Sequence, residues 1–347
     1  MRQEWFDHAR FGMFVHFGLY SGAARHEWVQ NYERLTDEDY RPYFEHFDPD
    51  LFDARALART AKDTGMGYVV LTTKHHDGFC LWDSQRTDFT SVAATGRDLV
   101  REYVDALRAE GLKVGLYHSV IDWHHPHFTV DWNHPRRDDA NAHELNVGRD
   151  MSIYREYLHA QVRELLTAYG EIDYLFFDFT YPGAKDGWSG KGPDDWDAAG
   201  LLALCRELQP NMLVNDRLGI PADFVTPEQY QPTAPIVRDG VALTWEACQT
   251  LNGSWGYDRD NTDQKSSTLL TQMLVDSVSM GGNMLLNIGP DGRGAIAPRD
   301  AATLGEIGEW MRLHGGAVIG AGHAEFTPPR EGVYTRCLLY TSPSPRD

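Results

Sequence analysis

Asp178 closes the apolar run Tyr174-Leu175-Phe176-Phe177, and a proline-containing stretch, Phe179-Thr180-Tyr181-Pro182, follows it. A carboxylate therefore stands where a buried strand should give way to a loop. Other apolar runs end in the same manner, at His16, at His75 and His76, at His118, at Arg217, at Glu246 and at Asn287. One strand-end histidine or asparagine commonly does no more than satisfy loop backbone, but the pattern repeated along the chain describes a site. Imidazoles and carboxylates interleaved with Trp28, Trp82, Trp123 and Trp255 suit a polyhydroxylated ligand, because hydroxyls need donors and acceptors while sugar C–H faces stack on aromatic rings. Cleaving a glycosidic bond requires two carboxyl groups, one to attack or activate water and one to protonate the leaving oxygen. Asp178 is the first. For the second, Glu228 in the loop Asp223–Pro232 is favoured, since a loop glutamate can approach from the leaving-group side; Glu246, in Thr244-Trp245-Glu246, is the fallback. Glu228 can also be read as a solvated turn residue after Pro227, and Glu246 as a buried carboxylate paired with Arg217 or a histidine.

These residues need elements to hold them. Apolar, β-branched or aromatic runs at Met13–Phe17, Tyr68–Thr73, Lys113–Val120, Ile172–Asp178, Asn211–Asp216, Val241–Cys248 and Asn283–Gly289 read as strands. Amphipathic stretches at Leu57–Thr64, Leu99–Ala109, Tyr154–Tyr169, Ala199–Leu208 and Ser267–Met280 read as helices between most of them. Strand and helix alternating this often imply a parallel sheet, and strands apolar on both faces imply one wrapped by helices. The expected fold is therefore an α/β (β/α)8-type barrel over residues 1–326. Its eighth strand is expected near Trp255 or Val318, unless the barrel is incomplete. Two long connections, Asp122–Asp150 and Tyr181–Ala198, follow strands, where barrel enzymes build binding loops. The tail Tyr340–Asp347 shows no core pattern, so 327–347 reads as the truncated start of a C-terminal β domain or as a non-native tail.

A net charge of −19, from 51 acidic and 32 basic side chains among 347 residues, argues against nucleic acid and anionic membranes as partners. No apolar run is long enough to span a bilayer, and Met1-Arg2-Gln3 leads into patterned sequence without a signal peptide's apolar stretch. The expectation is a cytoplasmic protein, or a secreted or periplasmic one if the N-terminus was trimmed. Cys80, Cys205, Cys248 and Cys337 are too scattered for a zinc site or a disulfide framework. Neither a metal nor another cofactor is expected.

The stretches Trp5–Gly18, Leu71–Phe79, Gly115–Ser119, Phe177-Asp178, Val214–Arg217, Trp255-Gly256-Tyr257 and Gly281–Pro290 together resemble the α-L-fucosidases of glycoside hydrolase family 29, in the family's order and over nearly the whole chain. The resemblance implies a barrel enzyme that removes terminal α-L-fucose from oligosaccharides or glycoconjugates with retention, with Asp178 as nucleophile and Glu228 at the usual place of the acid/base. It also implies fucose contacts from His16, Glu27, Trp28, His75, His76, Arg217 and Trp255, and from His118 where relatives carry tyrosine or histidine. Two departures are a C-terminal β-sandwich of which at most a first strand remains, and the export signal some relatives carry. Two other readings use the same residues. One is a metal-dependent barrel hydrolase with ligands among His16, His75, His118, His124, His125 and Asp178. The other is a fucose-binding protein that cannot turn over. His75 and His76 can both reach a pocket only if their strand ends there, because neighbours on a strand face opposite ways.

Overall fold

The computed structural model describes residues 2–327, 329 and 332–338. Seven parallel strands form the central sheet: β1 (Phe11–Val15), β2 (Tyr68–Lys74), β3 (Lys113–Ser119), β4 (Tyr174–Asp178), β5 (Leu213–Val214), β6 (Glu246–Thr250) and β7 (Asn283–Ile288). They lie in the order β5-β4-β3-β2-β1-β7-β6. The edges β5 and β6 are joined by residues 224–228, which bridge in parallel to both: Asn215 pairs with Phe224, Val225 with Trp245 and Glu228 with Cys248. Backbone bonds run from Asp216 N to Phe224 O, from Glu246 N to Val225 O and from Cys248 N to Pro227 O. The eighth stave of the barrel is therefore 224–228, and not the region of Trp255 or Val318. Pro227 has no N–H to give the ladder, which keeps this segment from forming a regular strand.

Helices wrap the sheet: α1 (Ala54–Asp63), α2 (Leu99–Glu110), α3 (Met151–Ala168), α4 (Ala198–Leu208), α5 (Ser267–Ser279) and α6 (Pro298–His314). Side-chain caps start most of them, with Asp53, Asp98, Asp150, Asp197 and Ser266 accepting from free N–H groups of the first turn. Alternation along each strand sends one set of residues outward to the helices and the other into the barrel. The inward set includes Phe14, Tyr68, Val70, Tyr117, Tyr174, Phe176, Cys248 and Leu285, and the N-terminal helix adds Phe6 from below. Gly12 belongs to it as well: a Cβ there would stand 2.3 Å from the Tyr68 ring.

Two expectations fail at β6 and β3. The strand anticipated at Val241–Cys248 is Glu246–Thr250; Val241–Ala242 instead forms a surface hairpin with Val237–Arg238. Glu246 is thus the first residue of its strand and lies at the N-terminal end of the barrel. There Tyr174 Oη donates to it at 2.6 Å and Tyr68 Oη donates to its other oxygen. Tyr68 and Tyr174 begin β2 and β4, so they mark the same end. His118 follows inward Tyr117 and so faces outward, against Trp82 and a ring-nitrogen contact to Thr73 Oγ1. Near the C-terminus, Ala321–His323 pairs antiparallel with Thr335–Cys337. The reading of Tyr340–Asp347 as a foreign or truncated end lies outside the described residues. Among those residues, no helix is long and apolar enough to cross a membrane.

Candidate active site

At the C-terminal end of the barrel, a cavity is lined by His16, Glu27, Trp28, His75, His76, Asp178, Glu228 and Trp255, with Phe14, Tyr117, Phe176, Phe179 and Cys248 between them. Asp178 is the third inward residue of β4 after Tyr174 and Phe176, so alternation aims it into this cavity. Tyr117 Oη donates to its Oδ2 at 3.0 Å. Arg217, in a short turn just after β5, reaches in beside it. Its Nη1 lies 3.2 Å from Asp178 Oδ1 and 2.7 Å from Glu228 Oε2, so those two carboxylate oxygens cannot be more than the sum, 5.9 Å, apart. Thr226 holds the rest of the guanidinium, its Oγ1 accepting from Nε at 2.7 Å and its carbonyl from Nη2 at 3.0 Å. The eighth stave thereby presents Glu228 and clamps the arginine that bridges it to Asp178.

Burial pushes the Asp178 carboxyl up to about 6, and the Glu228 charge adds to that; Arg217 and the Tyr117 hydroxyl hold it down. Glu27 is pushed up to about 7, chiefly by burial, although Gly256 N–H donates to it at 2.7 Å. The imidazoles are kept neutral by burial: His16 falls to about 3, and His75 and His76 fall well below the usual histidine range.

Hydrogen-bond partners assign the tautomers. Asn287 Nδ2 donates to Trp255 O at 2.7 Å, which turns its Oδ1 to His16 Nδ1 at 2.6 Å; that nitrogen carries the hydrogen and Nε2 is an acceptor. Ser119 Oγ donates to Ile121 O, so it accepts from His76 Nδ1 at 2.7 Å. His76 Nε2 is left as a buried acceptor with no partner among the described residues, and His75 Nδ1 is likewise unpartnered. β2 ends at Lys74, and Gly78 follows at φ +82, so both rings turn into the cavity with centroids 4.0 Å apart. Buried orphan nitrogens around one cavity are what a hydroxylated ligand satisfies.

The matches to known proteins bear on what that ligand is. A family model described as alpha-L-fucosidase matches residues 1–316. The mouse tissue alpha-L-fucosidase is 31% identical over 91% of this chain and 71% of its own length. The chain belongs to the α-L-fucosidase family. Among solved structures, alpha-L-fucosidase isoenzyme 1 from Paenibacillus thiaminolyticus is 47% identical, with a TM-score of 0.91 over 97% of this chain and 81% of that one. A Bacteroides thetaiotaomicron alpha-L-fucosidase, trapped as a covalent intermediate with 2-fluoro-fucosyl fluoride in a glutamate-to-glutamine variant, is 30% identical, with a TM-score of 0.82 over 96% of this chain and 80% of that one.

The family's barrel accounts for which expected residues come together here. His16, Glu27, Trp28, His75, His76, Asp178, Glu228 and Trp255 line one cavity, with Arg217 directly behind the carboxylates. His118 does not join them, because Tyr117 holds the inward position of β3. Glu246 does not join them either: the residue of β6 that lines the cavity is Cys248, and Glu246 lies two residues, about 7 Å, further towards the opposite end of the barrel, where Tyr68 and Tyr174 hold it. His124 and His125 lie outside the lining as well, and among the described residues no three metal-ligating side chains converge. Tyr117, Phe14, Phe176 and Phe179 were not singled out from the sequence. The inward parity that delivers Asp178 is the signal that finds Phe176.

Proposed function

We propose that this chain is an exo-acting retaining α-L-fucosidase in which Asp178 is the nucleophile and Glu228 the acid/base. One observation carries the assignment: a single Arg217 nitrogen bridges the two carboxylates, which keeps their nearest oxygens within 5.9 Å. Retaining glycosidases hold their carboxyl groups about 5–5.5 Å apart, whereas inverting ones need roughly 6.5–9.5 Å to admit a water. The covalent intermediate trapped in the Bacteroides relative supports the same course.

In the first step an Asp178 oxygen bonds to the anomeric carbon of a terminal α-L-fucosyl unit as the C1–O bond breaks, and Glu228 gives its proton to the departing oxygen. In the second, Glu228 takes a proton from water as that water attacks C1 and the ester to Asp178 breaks. Two inversions give α-L-fucose. His16 Nε2 and His76 Nε2 accept from ring hydroxyls, and Trp28 and Trp255 supply apolar walls for the sugar's C–H face and methyl group. Near neutrality Asp178 is largely ionised even though burial raises it, because Arg217 offsets the burial.

The test is hydrolysis of a chromogenic aryl α-L-fucoside with NMR observation of the first sugar released. α-L-Fucose appearing first supports the double displacement. Initial release of the β anomer would make Asp178 a base for a single inversion, and a folded chain that binds fucose without turnover would support the binding-protein alternative.

A further inference from the structure

Near its functional end β2 carries one residue more than β3. Thr72 pairs with Tyr117 and Lys74 with His118, so Thr73 is the extra residue, and its Oγ1 donates to Tyr117 O at 2.7 Å. A bulge of this kind reverses the alternation of side chains beyond it. Tyr68 and Val70 point into the barrel, as does Tyr117 opposite Thr72; in an unbroken strand Lys74 would follow them inward and His75 would face the helices. The extra residue exchanges the two: Lys74 shares the outer face with His118, and His75 lines the cavity.

On that outer face the Lys74 and Asp122 side chains, 0% and 1% exposed, form an ion pair at 3.2 Å. Lys74 Nζ also donates to Gln161 Oε1 at 2.9 Å and stands 5.3 Å from the centre of the Tyr157 ring, both on α3. Asp122 opens the long loop after β3. Its Oδ1 accepts from His125 N at 2.9 Å, in a space left by Gly78, where a Cβ would stand 2.4 Å from that oxygen. The next residue, Trp123, donates its N–H to His76 O at 2.8 Å and sets its ring 5.4 Å from the His76 imidazole. Asp122 and Trp123 therefore fasten β2 on both sides of His75. A buried ion pair is no better for stability than apolar side chains of the same volume. What it adds is direction, because Lys74 cannot turn inward without leaving Asp122 as a buried, unpaired charge.

We propose that Lys74 is a positioning residue for sugar binding: its ion pair with Asp122 locks the bulge that turns His75 and His76 into the cavity. The proposal rests on the fucosidase reading given above, in which those imidazoles meet the ring hydroxyls. Lys74 lies behind the sheet, apart from the cavity lining and from both carboxylates, so it acts on the sugar only through the two histidines.

The experiment measures kcat and KM on an aryl α-L-fucoside and the Kd of free L-fucose, with the full chain and its variants. Lys74→Met alone strands the Asp122 charge and costs stability for that reason. Lys74→Met combined with Asp122→Asn removes both charges, keeps the acceptor for His125 N and lets the new amide donate to Gln161. The combined variant should fold with a melting temperature near that of wild type, lose roughly tenfold to a hundredfold in kcat/KM, mainly through KM, and bind L-fucose more weakly by a similar factor. Made in a His76→Ala chain, the same two substitutions should cost about threefold or less, because one of the rings they orient is already gone. Loss of folding in the combined variant, or the same cost in both backgrounds, would mean that the pair merely supports the structure; a folded combined variant with wild-type KM and Kd would mean that the bulge holds without it. Each of these results overturns the proposal. A wild-type chain that neither hydrolyses the aryl fucoside nor binds L-fucose removes the fucosidase reading itself, and this inference with it.

Discussion

Replacing Arg217 with methionine removes the one cation between the two carboxylates, and the pH dependence should report it. Asp178 stands at about 6 in the folded chain because burial and the Glu228 charge raise it while Arg217 and Tyr117 lower it. An opposite charge within about 4–6 Å of a carboxylate commonly lowers its pKa by about 1–3 units, and the guanidinium nitrogen here is 3.2 Å away. Without it the acid limb of kcat/KM should move up from near 6 to roughly 7–9. Taking a shift of about two units, the ionised fraction at pH 6 falls from about a half to roughly one in a hundred, a loss near 50-fold. The assay is a pH profile of kcat/KM on the aryl fucoside between pH 4.5 and 9.5, with Arg217→Lys as the charge-keeping control. Because Arg217 also ties Thr226 in place, some loss at every pH is expected in both variants. A profile for Arg217→Met that drops uniformly and keeps its acid limb near 6 refutes the reasoning: the arginine would then be a strut and not the partner of the nucleophile.

Other outcomes follow from the same geometry. Glu228→Gln should slow turnover of the aryl fucoside by about 10²–10⁴-fold, and azide, which needs no base to attack the fucosyl-enzyme, should restore it; Glu246→Gln should leave kcat and KM near wild type. Glu246→Gln should instead change stability. Burial holds Glu246 up at about 7, above its ordinary 4.5, so the folded state binds the extra proton between those values, and stability falls as pH rises through that window, by roughly 1 kcal/mol per unit from this group. Denaturant unfolding at pH 5 and pH 8 checks this: the wild type should lose more stability than Glu246→Gln, and equal losses contradict it. His118→Asn should keep the KM for fucosides within about twofold while lowering the melting temperature, because the ring is packed behind the sheet; a large rise in KM would return it to the pocket.

How much of this was legible in the sequence depended on what each residue's position requires. Asp178 could be found because an apolar strand cannot tolerate a carboxylate except where it opens to a site. His16, His75 and His76 could be found because their runs stop at them, and at His75 and His76 the following Asp77-Gly78 announced the break. His118 could not be placed the same way. β3 is apolar on both faces, so hydropathy does not tell which of Tyr117 and His118 points inward, and only pairing with β2 and β4 fixes the parity. Glu246 was misplaced because Val241 through Cys248 is apolar enough to be one strand, yet its start belongs to a surface hairpin. Sliding the strand to Glu246–Thr250 moves the glutamate from the functional end of the barrel to the opposite one. The eighth stave went unread for a related reason: Pro227 marks a loop by every local rule, and its carbonyl joins the barrel only because Cys248 is there to donate.

The measurement that tests the central claim most directly is peptide mass mapping of Glu228→Gln after reaction with 2-fluoro-fucosyl fluoride. With the acid/base gone and the fluorine withdrawing charge from the anomeric centre, the fucosyl-enzyme should form and persist, and the account predicts one added 2-fluoro-fucosyl group on the peptide bearing Asp178. A stable adduct on any other carboxylate, or turnover of the reagent by this variant with no adduct at any time, would contradict it.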